Sequence, residues 1–163
     1  MLVTCAFIVF GGPGIVTVYI PAWITRWQIP SIPWGWRLLA FVLITFGLLP
    51  LGESIFRFIH HGRGTLSPSH PTDELVTSGF YQYVRNTMYP SVLVLIAAQA
   101  VLFRSWVLSV YMGLVAVGFH LFVVFYEEPI LRKKYGSSYD KLCHDVPRWI
   151  PRVRFRRQTA RPG

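Results

Sequence analysis

"WVLSVYMGLVAVGFHLFVVFYEEP", residues 106 to 129, decides how the chain folds. From 106 to 126 it carries no formal charge, and His120 is the one side chain in it that titrates near neutrality. A run of about 20 apolar residues is what an α-helix needs to cross the hydrocarbon core of a bilayer. Two carboxylates, Glu127 and Glu128, follow at once, directly before Pro129. Adjacent carboxylates repel each other and are costly to desolvate, so at a membrane boundary they gain from a cationic partner or ligand. If the helix stops at Pro129, its dipole also disfavours negative charge at that end. A bound ammonium or sulfonium group accounts for the pair better than a solvated helix end does.

The remainder of the chain supports a membrane reading. Its 163 residues are 53% hydrophobic and 14% charged, with a mean hydropathy of +0.43, outside the balance of soluble domains. Three further apolar segments fall at about 2–24, 36–56 and 84–103, the first interrupted by Gly11-Gly12-Pro13-Gly14. The segment at 2–24 lacks a basic leader and reads as a retained helix rather than a signal peptide. After the fourth span, Ile130, Leu131, Tyr135, Tyr139 and Leu142 recur at near-helical spacing, which predicts an amphipathic cytoplasmic helix over about 128–144. The expected fold is therefore all-α: one domain over 1–163, an integral membrane bundle of about four transmembrane helices plus that surface helix.

Charge orients the bundle. Ten of the sixteen Lys and Arg residues follow Tyr126, and basic residues accumulate in cytoplasmic segments. Both termini and the 60–87 connection are expected in the cytoplasm. The net charge of +9 is concentrated in the tail at 148–163, "RWIPRVRFRRQTARPG", a composition suited to anionic lipid headgroups and not to nucleic acid. Cys5 and Cys143 form no CxxC pair, and His60, His61 and His70 lack metal-ligand spacing, so neither a disulfide framework nor a metal site is expected.

Polar chemistry concentrates in "SGFYQYVRNTMYPS", residues 78 to 91, at the entrance of the third span. Read as a helix beginning near Thr77 or Ser78, it places Tyr81, Arg85 and Tyr89 four apart on one face. Such a face suits an interfacial aromatic belt with a snorkelling arginine as well as it suits a binding wall. The tight connection at 103–105 makes spans three and four a hairpin, which brings 81–89 and 127–128 together at one membrane face. His120 reads as a packing residue or, alternatively, as a substrate contact.

The order "LVTSGFYQYVRNTMY", a hydrophobic hairpin, then "EEPILRKKYGSSYDKLCHDVPRWIP" resembles the isoprenylcysteine carboxyl methyltransferase and phospholipid methyltransferase superfamily of integral membrane enzymes. The match covers about residues 73 to 151, through Gly79, Tyr81, Tyr83, Arg85, Tyr89, Glu127, Glu128, Gly136, Tyr139, Val146 and Pro147. The resemblance implies an S-adenosylmethionine-dependent methyltransferase acting on a lipophilic small molecule or lipid, with an amine, thiol or carboxylate as acceptor. It implies cofactor contacts from Leu75, Val76, Gly79, Tyr81, Asn86, Met88, Tyr89, Glu127 and Glu128. Arg85 and Tyr89 would act at the reacting centre, and Arg85 and His120 toward the acceptor. Phe80 stands where the superfamily usually has proline, and Asn86-Thr87 where it has His-Pro. No basic residue occurs in "FHLFVVFY" before the glutamates, where the prenylcysteine branch carries an arginine for the substrate carboxylate, so an amine or thiol acceptor is expected first. A divergent, non-catalytic member that binds lipid or protein is the alternative.

Overall fold

The computed structural model describes residues 14–60 and 84–149. Leu75, Val76, Gly79 and Tyr81, the first part of span one and the tail beyond Trp149 lie outside the described residues. Within them all regular structure is helical: α1 (Ile15–Thr25), α2 (Trp34–His60), α3 (Met88–Leu102), α4 (Trp106–Tyr135) and α5 (Ser137–Asp145).

Prolines shape α1 and α4 in the same way. Residues Ile15–Tyr19 and Val123–Glu127 form π-helical turns, each ending two positions before a proline, Pro21 and Pro129. A proline ring in a regular α-helix collides with the carbonyl four residues back and offers it no N–H. The wider π turn accommodates the ring while the residue just before it still donates: Ile20 N–H bonds Ile15 O, and Glu128 N–H bonds Val123 O. In α1, Pro21 can donate to neither Thr17 O nor Val16 O. Gln99 Nε2 of α3 donates to the first at 2.8 Å, and Tyr111 OH of α4 to the second at 3.0 Å. In an apolar surround, freed carbonyls must find such partners, so these bonds dock α1 onto the hairpin.

Helix α3 is the centre of the bundle, packed against α2, α4 and the π turn of α1. Tyr89, Ser91, Val92, Leu95, Ile96 and Ala98 are all buried. Its approach to α2 is close because Gly47 has no side chain: a Cβ there would lie 2.8 Å from Leu95 Cγ and Cδ2 and 3.1 Å from Ser91 O. The α3–α4 turn passes through Arg104 with φ 47°, and Ser105 Oγ then caps α4 by accepting Leu108 N–H at 3.4 Å.

Among the described residues two helices, Trp34–Phe56 and Trp106–Tyr135, are long and apolar enough to cross a membrane, and only 17% and 11% of their apolar windows are buried. The buried core helix of a soluble protein has the opposite character. Phe41, Phe46, Leu49, Leu114 and Phe125 point outward, an apolar surface that calls for lipid.

Three expectations are corrected. Residues 84–87 form a turn, so Arg85 is not helical and the four-residue spacing from Tyr81 to Tyr89 does not describe one helix face. One cause is local and one distant: Thr87 Oγ1 donates to Val84 O at 3.2 Å, and Arg85 N–H goes to Pro147 O at 3.0 Å instead of into a helix ladder. The helix of the fourth span, expected over about 106–126, runs on past Pro129, because the π turn carries it through to Tyr135. The segment at 128–144 is not one helix, since Gly136, at φ 53° and ψ −129°, breaks it between Tyr135 and Ser137.

Substituting Gly47 by alanine should lower stability by about 1–3 kcal/mol through overpacking against Leu95. Gly52→Ala, on the same helix with nothing within 4 Å, should be neutral or stabilising. Thermal unfolding in detergent compares the two, and equal midpoints would contradict the close α2–α3 contact.

Candidate functional site

Polar groups from three segments converge at the mouth of the α3–α4 hairpin. The 84–87 turn brings Arg85, the first turn of α3 brings Tyr89, and the π turn of α4 brings Glu127 and Glu128. Pro90, in that first turn of α3, sits where a helix has no intrahelical use for an N–H. A fourth contribution comes from the chain after α5. Val146 leaves the helix in extended conformation (φ −119°, ψ 123°), as a residue before proline prefers, and Pro147, Arg148 and Trp149 fold back over the site.

The two glutamates face different surroundings. Glu128 is buried, 6% exposed, and accepts from two arginines. Arg148 grips it with Nε to Oε1 at 2.8 Å and Nη2 to Oε2 at 3.0 Å, and Arg85 Nη1 lies 3.4 Å from Oε1. A bidentate guanidinium–carboxylate pair is the strong form of this interaction, and burial makes it necessary, since a lone carboxylate there would be uncompensated. Glu127 is half-buried, and its hydrogen-bond partner among the described residues is the Tyr89 hydroxyl, which donates to Oε2 at 2.5 Å. Glu127 has no arginine or lysine among those partners. The charges of Arg85 and Arg148 are directed to Glu128, which leaves Glu127 as the negative pole.

Arg85 makes further contacts. Its side chain is 9% exposed, Nη1 donates to Cys143 Sγ at 2.6 Å, and its guanidinium carbon lies 6.0 Å from the centre of the Tyr139 ring. Its Nε is buried and has no acceptor among the described residues. Tyr139 is 3% exposed. Burial, with Cys143 and Glu128 beside it, holds its phenol far above the usual value, so at neutral pH it is protonated and cannot serve as a base. Gly136 permits the reversal that carries Tyr139 and Cys143 to Arg85, in a backbone conformation that L side chains rarely adopt.

An aromatic wall borders Glu127. The Tyr89 ring lies 4.8 Å from Phe119 and 6.3 Å from Trp149, and Trp149 lies 6.2 Å from His120. His120 is exposed and touches the site through Trp149 alone among these rings. Asn86 is buried, 8% exposed, one residue beyond Arg85, and half-buried Met88 opens α3.

Of the expected residues, the structure joins Arg85, Tyr89, Glu127 and Glu128, with Asn86 and Met88 adjacent in the chain. Arg148, Trp149, Cys143 and Phe119 were not anticipated here. Charge density alone places Arg148 in a headgroup-binding tail, although its position one residue after the Val146-Pro147 match signals that the chain turns back there.

Comparison with known families places residues 36–138 within the phospholipid methyltransferase family. A search of curated proteins gave no match. The matched region contains Arg85, Tyr89, Glu127 and Glu128 and ends before the Arg148 strap.

Replacing Arg148 by alanine removes both short bonds to Glu128 and should destabilise the protein by about 1–3 kcal/mol. Arg148→Lys, which retains charge without the planar fork, should recover only part of that loss. Denaturant unfolding in detergent measures both, and a wild-type midpoint for Arg148→Ala would contradict the clamp.

Proposed function

The chain belongs to the phospholipid methyltransferase family, and on that premise we propose that it is an integral membrane methyltransferase transferring a methyl group from S-adenosylmethionine to a lipophilic acceptor presented by the bilayer. One observation carries the reading: at the mouth of the apolar hairpin, Glu127 stands beside a carboxylate already held by two arginines and keeps its own charge available to a cationic ligand.

The residues present fit the methionyl end of the cofactor. Glu127 offers a carboxylate to its ammonium group, the buried Arg85 Nε offers a donor to its carboxylate, and Asn86 can both donate and accept. When bound, S-adenosylmethionine supplies an electrophilic methyl on a positively charged sulfur, which leaves as a neutral thioether when the acceptor attacks. The protein aligns the acceptor and excludes water. Tyr89 holds Glu127 in place through its hydroxyl, and the rings of Tyr89, Phe119 and Trp149 present an apolar wall. Glu128, Arg85 and Arg148 hold the turn, the helix and the strap together.

The same geometry favours an amine acceptor. Glu128 engages both guanidinium groups near the site, and the remaining Arg85 Nε is assigned to the cofactor's carboxylate, so neither is left to read a substrate carboxylate. Apolar surroundings also favour the neutral, nucleophilic form of an amine. We further read four crossings, with both termini and the site on the cytoplasmic face, from the basic residues that follow Tyr126, and α5 with the basic tail lying at the headgroups.

The test is incubation of vesicle-reconstituted protein with methyl-labelled S-adenosylmethionine and lipids bearing either a primary amine or a carboxylate, followed by mass spectrometry. The amine-bearing lipid should gain one methyl mass and the carboxylate-bearing lipid none. Tyr89→Phe, which frees Glu127 Oε2, should slow transfer about 10-fold or more, the equivalent of losing a hydrogen bond to a charged group. Transfer to neither lipid, with the protein folded, would favour the non-catalytic binding role.

A further inference from the structure

A second polar feature lies at the other end of the hairpin. A cavity of about 390 Å³ opens between the start of α2, the end of α3 and the start of α4, lined by Trp36, Ala97, Ala100, Val101, Met112 and, as its one charged group, Arg104. From Ser109, which also lines it, to Glu127 the helix rises about 27 Å at 1.5 Å per residue, close to the thickness of a bilayer's hydrocarbon core. The cavity and the Glu127 site therefore lie at opposite membrane faces, an inference that rests on the membrane-crossing reading above.

Charge at this end is one-sided. Arg26 closes α1, Arg37 follows Trp36 at the start of α2, and Arg104 lies in the α3–α4 turn; all three are exposed. The Trp27 ring packs edge-on against Phe103 at 6.1 Å, which brings the end of α1 to that turn. The described carboxylates are Glu53, toward the far end of α2, Glu127 and Glu128 at the other site, and Asp140 and Asp145 on α5. None belongs to this end. Arg26, Trp27 and Arg104 are also the three non-glycine residues with left-handed backbone among those described. Glycine is the usual residue at such helix ends, and a larger side chain is strained there. An arginine at two of these positions invites a role for the charge.

We propose that this cavity is a lipid site distinct from the methyl-transfer site, and that it holds one anionic phospholipid. The phosphate lies at Arg104, with Arg26 and Arg37 supplying the surrounding positive field, and an acyl chain lies over Trp36, Ala97, Ala100 and Met112. The volume falls in the range of small-ligand pockets, about 300–1,000 Å³, and apart from Ser109 the lining is apolar beside a single cation, as an amphiphile with an anionic head requires. The competing account is that Arg26 and Arg104 only complement the C-terminal dipoles of α1 and α3.

The full chain, reconstituted into vesicles, is irradiated with phosphatidylglycerol or phosphatidylcholine carrying a photoreactive acyl chain, and labelled peptides are mapped. Phosphatidylglycerol should label peptides containing Trp36 and Met112 more than phosphatidylcholine does. Arg104→Gly removes the guanidinium where the backbone suits glycine, and should cut that labelling about fivefold, the effect of one basic residue on anionic lipid. Arg104→Lys should restore it, and Glu127→Gln should leave it unchanged. Equal labelling by the two lipids, or labelling unaffected by Arg104→Gly, would overturn the lipid site and support the dipole account. Failure of the chain to insert at all would overturn the membrane-crossing reading and the lipid site with it.

Discussion

The buried carboxylate of Glu128 is the constraint on which the site depends. At 6% exposure it must be compensated by charge. Its two arginines come from the turn before α3 and from the strap after α5, 63 positions apart by number between Arg85 and Arg148. Satisfying one side chain therefore joins the entrance of the hairpin, its exit and the end of the chain's described part. The backbone bond from Arg85 N–H to Pro147 O runs between the same two segments. A buried ion pair is weak support for stability, because desolvation offsets attraction; its consequence here is arrangement. With both guanidinium groups turned to Glu128, the adjacent Glu127 is left to a tyrosine hydroxyl and to whatever cation enters.

Proline supplies the second organising constraint. In α1 and in α4 a proline is tolerated by widening the preceding turn, and the consequences differ with surroundings. In α1 the freed carbonyls recruit Gln99 and Tyr111, which ties that helix to the hairpin. In α4 the widened turn spans Glu127 itself and lets the helix run on, so the glutamates lie within a helix and not at its end. The dipole argument against carboxylates at a C-terminus thus has no force here, and the π turn becomes part of how Glu127 and Glu128 are presented to separate partners.

Much of this was legible from residues. The uncharged run at 106–126 identifies a long apolar helix because nothing in it offers an alternative to burial in lipid or protein. The meeting of Arg85 and Tyr89 with the glutamates follows from hairpin geometry, since a short connection forces the two ends together. Helix limits were less legible. Pro129 reads as a stop unless a π turn is foreseen, and Arg85 reads as helical unless the bond of its N–H to Pro147, a contact distant in sequence, is known. Arg148 and Trp149 were hidden for the same reason: a basic, proline-flanked tail looks solvated until its chain direction is known. Cys143 gave no signal beyond its spacing from Tyr139 on α5.

In the proposed enzyme Glu127, and not the clamped Glu128, provides the charge that binds the cofactor. Calorimetric titration of S-adenosylmethionine into purified wild-type and Glu127→Gln protein in detergent, with equal unfolding midpoints as the control, tests it directly. Saturable binding at one site per chain is expected in the wild type, and affinity weaker by about tenfold or more in Glu127→Gln, roughly the 1.4 kcal/mol or greater expected of a charged hydrogen bond. Undetectable binding in the wild type, or equal affinity in the two proteins, would contradict it.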